Sequence, residues 1–292
     1  MLKPDYLKIK DFDRKKYLET LELIQKHHLN TVCVSANCPN RYHCFSSGTA
    51  TFMILGDYCT RNCRYCNIES KKPKAVDVEE SKRLALAVKK LNLDYIVITS
   101  VSRDDLEDGG SSHFVSSINE IRKISNCNIE VLIPDFKGDK TSLEKLVEVK
   151  PEVINHNIET VSELFPELRP QGDYNRSLLL LKNVKDINSN IITKSGLMVG
   201  LGETKEQIIK ILKDLKKAKV DILTIGQYLA PSAEHAKVKK YYSEKEFLGL
   251  ENIAKDMGFK EVISGPMVRS SYKAKEAYEK GAHTRDNKRK RS

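Results

Sequence analysis

The chain has 292 residues, a formal net charge of +10 and 31% charged residues, which is enough length to bury a large core in one or two domains. It contains no apolar run of about 18 residues, the length needed to cross a membrane. The opening stretch MLKPDYLKIKDFDRKKYLE carries charges where a secretory signal needs apolar residues, so a cytosolic protein is expected.

Six of the seven cysteines fall between Cys33 and Cys66. Cytosolic thiols stay reduced, so such clustering points to metal or catalysis rather than to disulfides. The first group, in CVSANCPNRYHC, places Cys33, Cys38 and Cys44 at C-x4-C-x5-C. On spacing alone, zinc completed by His43 or His28 remains open here. The second group, in CTRNCRYC, places Cys59, Cys63 and Cys66 at C-x3-C-x2-C, directly after a first strand over TFMIL (51–55). A structural zinc site normally takes four protein ligands. Three thiolates in one tight loop instead suit three corners of a cubane iron–sulfur cluster, leaving the fourth iron open. Two such incomplete sites in series suggest two clusters with different duties.

Further strands are predicted over YIVITSV (95–101), IEVLI (129–133), VINHNI (153–158), IITKSGLMV (191–199) and ILTIGQY (222–228). Between them, Leu84, Val88 and Leu91, and then Ile208, Ile211, Leu212 and Leu215, recur with helical spacing. TKEQ (204–207) reads as a capping box that opens the second of these helices. Six strands, each followed by a helix, give an α/β fold: a partial (β/α)6 TIM-type barrel, with an open doubly wound sheet as the alternative. Polar clusters TSVSRDD, IPDF, NHNIE, TKSG and GQY are expected at the strands' C-terminal ends, where βα barrels build their sites. The division expected is 1–47 as an N-terminal extension with the first cysteine group, 48–235 as the core, and 236–292 as a C-terminal extension. The tail RDNKRKRS (285–292) has five bases against one acid and reads as a solvated tail; no nucleic-acid motif accompanies it.

The motifs resemble the lipoyl synthase family of the radical S-adenosylmethionine superfamily. The stretches that carry the resemblance are GTATFMILGDYCTRNCRYC (48–66), TSVSRDDLEDGGSSHF (99–114), VLIPDFKGD (131–139), PEVINHNIETV (151–161), RPQGDYNRSL (169–178), TKSGLMVGLGET (193–204), TIGQYLAPSAEH (224–235) and SGPMVRSSY (264–272). The resemblance implies a sulfurtransferase that inserts two sulfurs, at carbons 6 and 8, into a protein-bound octanoyl-lysine. It implies two 4Fe-4S clusters, a radical one on Cys59, Cys63 and Cys66 and an auxiliary one on Cys33, Cys38, Cys44 and Ser271. The resemblance also implies that the auxiliary cluster is the sulfur donor. Serine oxygen is a harder ligand than thiolate and so more easily displaced.

S-adenosylmethionine is expected to meet Lys194 through its carboxylate, and Asn157 and Glu159 through its ribose. Gly200 and Gly202 would allow close backbone approach. Arg103 and Asp104 are assigned to the site without a named role. The implied partners are an octanoylated glycine-cleavage carrier or dehydrogenase acyltransferase domain, a ferredoxin or flavodoxin as electron donor, and an iron–sulfur carrier that reloads the auxiliary cluster; neither membrane nor nucleic acid is expected. The family commonly has acidic residues where this chain has Val34, Ser35 and His43, so negative charge is missing beside the auxiliary group. Two other readings stand beside this one: sulfur insertion into a free small molecule, as in biotin formation, and a non-catalytic iron–sulfur electron carrier.

Overall fold

Alternation of β-branched runs with amphipathic stretches produces the expected βα succession, seen in a computed structural model that describes residues 4–7, 12–47 and 49–289. Within the last helix, side chains are described only to residue 282, so the solvated-tail expectation lies outside the described side chains. The chain divides into two compact units, one of residues 9–62 and 66–152, the other of residues 1–8, 63–65 and 153–292.

The first unit opens with α1 (Arg14–Lys26), capped by the Asp13 carboxylate, which accepts the Lys16 N–H. Short elements follow: β1 (Asn30–Thr31), α2 (Val32–Ser35) and α3 (Arg41–Ser46). Tyr17 stacks on Tyr42 and Phe45, tying α1 to α3. Then come β2 (Thr51–Ile54), α4 (Glu80–Lys90), β3 (Tyr95–Ser100), α5 (Ser111–Ile124), β4 (Asn128–Leu132) and α6 (Lys140–Glu148). β1 runs antiparallel to β2, while β2, β3 and β4 pair in parallel. All four residues of β2 and the first five of β3 are buried, as expected when both faces of a parallel sheet are covered.

The second unit contains β5 (Val153–Asn155), α7 (Phe165–Leu168), α8 (Tyr174–Ile187), β6 (Ile192–Val199), α9 (Lys205–Lys217), β7 (Ile222–Gln227), α10 (Glu244–Asp256), β8 (Glu261–Gly265) and α11 (Ala274–Arg289). β5 to β8 pair in parallel. Ile208, Ile211, Leu212 and Leu215 are all buried along α9, and the capping box between Thr204 and Gln207 is present. Ala277 of α11 packs with Val153, Ile192 and Ile222.

Among the described residues the fold is α/β, with β1 to β4 in order in the first unit and β5 to β8 in order in the second. β1 and β8 end that order, which is not closed among the described residues. The six predicted strands are β2 to β7. The two edge strands were not predicted: β1 has two residues, and β8 lacks the continuous burial that makes an apolar run. One expected strand end is corrected. Thr193 to Gly196 lie inside β6, not beyond it, because this strand continues through Leu197, Met198 and Val199.

Candidate functional site

The first cysteine group spans two short helices, with Cys33 in α2, Cys44 in α3 and Cys38 in the loop between them. α2 starts where Thr31 Oγ1 accepts the Val34 N–H at 3.3 Å, placing Cys33 inside it at 6% exposure. The Cys38 N–H returns to the Cys33 carbonyl at 3.1 Å, and the Cys44 N–H to the Asn40 carbonyl at 2.9 Å. Burial pushes the Cys33 thiol up to about 11, and the field of Cys38 adds to it. Burial pushes Cys44 up to about 12, with Cys33 and Cys38 adding to it. The three sulfurs therefore lie in one another's field, and ionising them together is costly without a compensating cation. His28 and His43, the candidates to complete a zinc site, are both exposed, as is Val34. Among the described residues, no three His, Cys, Asp or Glu side chains form a ready metal-holding group.

The second group follows β2. Cys59 is fixed by its N–H to the Glu69 carbonyl (2.9 Å) and by the Lys71 N–H to its own carbonyl (3.2 Å). Two main-chain donors face sulfur: Arg61 N–H to Cys59 Sγ at 3.4 Å and Ile68 N–H to Cys66 Sγ at 3.5 Å. Hydrogen bonds to ligand sulfurs tune cluster potential. Cys63 and Tyr65 belong to the second unit, where the Arg64 N–H reaches the Leu168 carbonyl at 2.9 Å and Tyr65 packs near Leu201 and Tyr228.

Arg61 is buried at 3% exposure and clamped by two carboxylates. Its Nε and Nη2 donate to Asp104 at 2.7 and 2.8 Å, and Nη2 also donates to the fully buried Asp135 at 2.6 Å. Desolvation works against the Arg61 charge, but Asp104 and Asp135 outweigh it and hold the guanidinium protonated. Asp104 therefore acts on the cysteine loop through Arg61. Arg103 pairs with Asp105 through two 2.8 Å bonds, and its Nη1 donates to the Leu55 carbonyl at 3.2 Å.

Leu55 has φ +70°, a costly conformation for a bulky residue, and it is held from both sides. The Glu80 carboxylate accepts the Leu55 N–H at 2.8 Å and also bonds His113 Nε2 at 2.8 Å. This strained elbow launches the cysteine loop.

In the second unit, Lys194 lies fully buried at the third position of β6, beneath the strand end rather than on it. Asn157 and Glu159 follow β5 as expected. Asn157 Oδ1 is buried without a partner, while its Nδ2 donates to Ser270 Oγ at 3.3 Å. An added Cβ at Gly196 would stand 2.7 Å from that Oδ1, so Asn157 needs a glycine below it. Burial pushes the Glu159 carboxyl up, against the pull of Arg169 and a hydrogen bond from Asn157. Arg169 Nη1 donates to the Asn157 carbonyl at 3.1 Å.

The N–H groups of Gly200, Leu201 and Gly202 already donate to the Glu203 carboxylate at 2.6, 2.9 and 3.1 Å. Gly200, at φ +104°, also lies against Lys240: an added Cβ would meet its carbonyl at 2.5 Å. Ser271 sits partly exposed in the turn between β8 and α11.

Comparison with known proteins agrees with this architecture. Residues 53–215 match the radical SAM superfamily. A lipoyl synthase of Caldanaerobacter subterraneus subsp. tengcongensis is 50% identical over 93% of this chain and 95% of its own. One from Caldicellulosiruptor bescii is 51% identical over 93% and 94%. Among solved structures, methylornithine synthase has a TM-score of 0.54 at 15% identity, covering 85% of this chain and 84% of that one, which speaks to the fold alone. The chain belongs to the lipoyl synthase family of the radical SAM superfamily.

For an enzyme of this family, the donor sets fit the groups implied: two sets of three thiols, sulfur-facing N–H donors in the second, and an orphaned buried acceptor on Asn157. Sequence reasoning missed Arg61, Asp135, Glu80, His113 and Arg169. Arg61, Asp135, His113 and Arg169 lie inside the quoted motifs, but their partners are 43, 74, 33 and 12 residues away in sequence. Among the described residues, no helix is long and apolar enough to cross a membrane.

Proposed function

We propose that this lipoyl synthase family enzyme places sulfur at carbons 6 and 8 of a protein-bound octanoyl-lysine using two 4Fe-4S clusters. The observation that carries this reading is the pair of three-thiol groups, one on two short helices and the loop between them, the other in a braced loop after β2. Cys59, Cys63 and Cys66 would hold the radical cluster; Cys33, Cys38, Cys44 and Ser271 would hold the auxiliary one. When bound, the first supplies the electron that cleaves S-adenosylmethionine and the second supplies the sulfur. The residues named for the radical cluster all lie in the core, 48–235, and those for the auxiliary one come from the N-terminal segment 1–47 and the C-terminal segment 236–292.

Around these groups the chain's own residues bind and orient. Lys194 offers a buried ammonium to a carboxylate. Asn157 Oδ1 offers an acceptor to a ribose hydroxyl, with Glu159 beside it. Gly200 and Gly202 leave the loop free of side-chain bulk, although their N–H groups serve Glu203. Arg103 and Asp104 are positioning residues, acting through Leu55 and Arg61. Ser271 offers an oxygen that leaves more readily than a thiolate.

The reading assigns the protein to the cytosol, with an octanoylated glycine-cleavage carrier or acyltransferase domain as substrate. It also calls for a ferredoxin or flavodoxin as electron source and an iron–sulfur carrier for reloading. Mass spectrometry of both octanoylated carriers, after anaerobic incubation with reconstituted enzyme, S-adenosylmethionine and reductant, tests it. Gain of two sulfurs is expected, and an unchanged mass in the presence of 5′-deoxyadenosine would contradict it.

A further inference from the structure

We propose that the Asn157–Ser270 hydrogen bond couples the seat of S-adenosylmethionine to the turn carrying Ser271, so that cofactor binding sets how the releasable ligand is presented. This rests on the roles given above to Asn157 and Ser271.

The turn is closed by the Tyr272 N–H donating to the Arg269 carbonyl at 2.9 Å, which makes Ser270 and Ser271 its two central residues. Its entry is pinned by backbone. The Val268 N–H donates to the Gly265 carbonyl at 3.1 Å, and the Val268 carbonyl lies over Gly226, where an added Cβ would stand 2.1 Å away. Ser270 is held by the Asn157 Nδ2 bond at 3.3 Å, whereas the Ser271 hydroxyl has no hydrogen bond among the described residues. Ser271 is the free arm of a turn fixed at its entry and at its neighbour.

Asn157 can transmit because its amide is a rigid plane. Nδ2 donates to Ser270 and to the Glu159 carboxyl, and Oδ1 is buried with no partner. A donor that engages Oδ1 fixes the plane and with it the direction of Nδ2. The main chain of Asn157 is held independently by Arg169 at 3.1 Å, so Oδ1 is the open position of a residue otherwise held on Ser270 and Glu159. Ser270 is thus a positioning residue, acting through Asn157 and the turn.

The test is hydrogen exchange over residues 268–273 in anaerobic enzyme carrying both clusters, with and without S-adenosylmethionine. The dissociation constant for S-adenosylmethionine is measured in parallel. In the unaltered enzyme, S-adenosylmethionine should slow exchange at Val268 and Tyr272. Ser270→Ala should abolish that protection and weaken binding about three- to tenfold, the factor carried by one neutral hydrogen bond. Ser270→Thr, which keeps the hydroxyl, should restore both.

Binding that depends on Asn157 but leaves 268–273 unchanged overturns the coupling alone. Full protection in Ser270→Ala does the same. If Asn157→Ala binds S-adenosylmethionine as tightly as the unaltered enzyme, or the unaltered enzyme does not bind it, the seat assignment falls together with the coupling.

Discussion

Arg61 shows how a single residue can brace a reactive loop without touching the chemistry. Its guanidinium is out of water and held through Nε and Nη2 by Asp104 and Asp135, so removing it strands two carboxylates, one of them fully buried. Breaking a buried pair from one side costs about 3–5 kcal/mol. Arg61→Gln should therefore lower the denaturation midpoint of cluster-free protein and reduce iron bound at Cys59, Cys63 and Cys66. Arg61→Lys should recover part of the stability but not the two-pronged hold on Asp104. Equal midpoints for all three proteins would remove Arg61 from this account. At this scale the sequence was legible where spacing carries chemistry, as in the two cysteine groups. It was silent where partners meet only after folding, as with Arg61, Asp135 and Glu80.

At the scale of elements, the turn between β8 and α11 depends on a strand that offers no side chain beneath it. Gly226→Ala would drive a Cβ into the Val268 carbonyl, and overpacking of this kind costs about 1–3 kcal/mol. The expected result is normal iron at the second cysteine group with a weakened auxiliary cluster, read as iron lost on desalting. Unchanged retention would contradict the close seat of the turn on β7.

The segment after β7 makes a pH prediction. Glu246 is held down to about 2, first by a hydrogen bond from Lys240 and then by the Ser243 N–H. A depressed carboxyl contributes fully above its unfolded value of about 4.3 and loses that contribution as pH falls toward the folded value. Protection of the first-turn amides of α10, relative to their intrinsic exchange rates, should hold down to pH 4 and fall as the pH drops toward about 2. Glu246→Gln should flatten that profile. The βα succession was legible because buried parallel strands are written as continuous apolar runs. β8 was not, since its half-buried edge lacks such a run, and the interior polar residues of β6 looked like a strand end.

Across the whole molecule, the account divides labour between two thiol groups, one for making a radical and one for giving up sulfur. Reconstituted enzyme should carry about eight irons, as two cubanes require. Replacing Cys59, Cys63 and Cys66 with alanine should leave about four and end 5′-deoxyadenosine formation. The most direct measurement follows 5′-deoxyadenosine and carrier mass together in one anaerobic reaction with the Cys33→Ala, Cys38→Ala, Cys44→Ala protein. The account predicts that S-adenosylmethionine is still cleaved while the octanoyl carrier gains no sulfur. A carrier that gains two sulfurs from this protein would contradict the division and leave the first cysteine group a structural role.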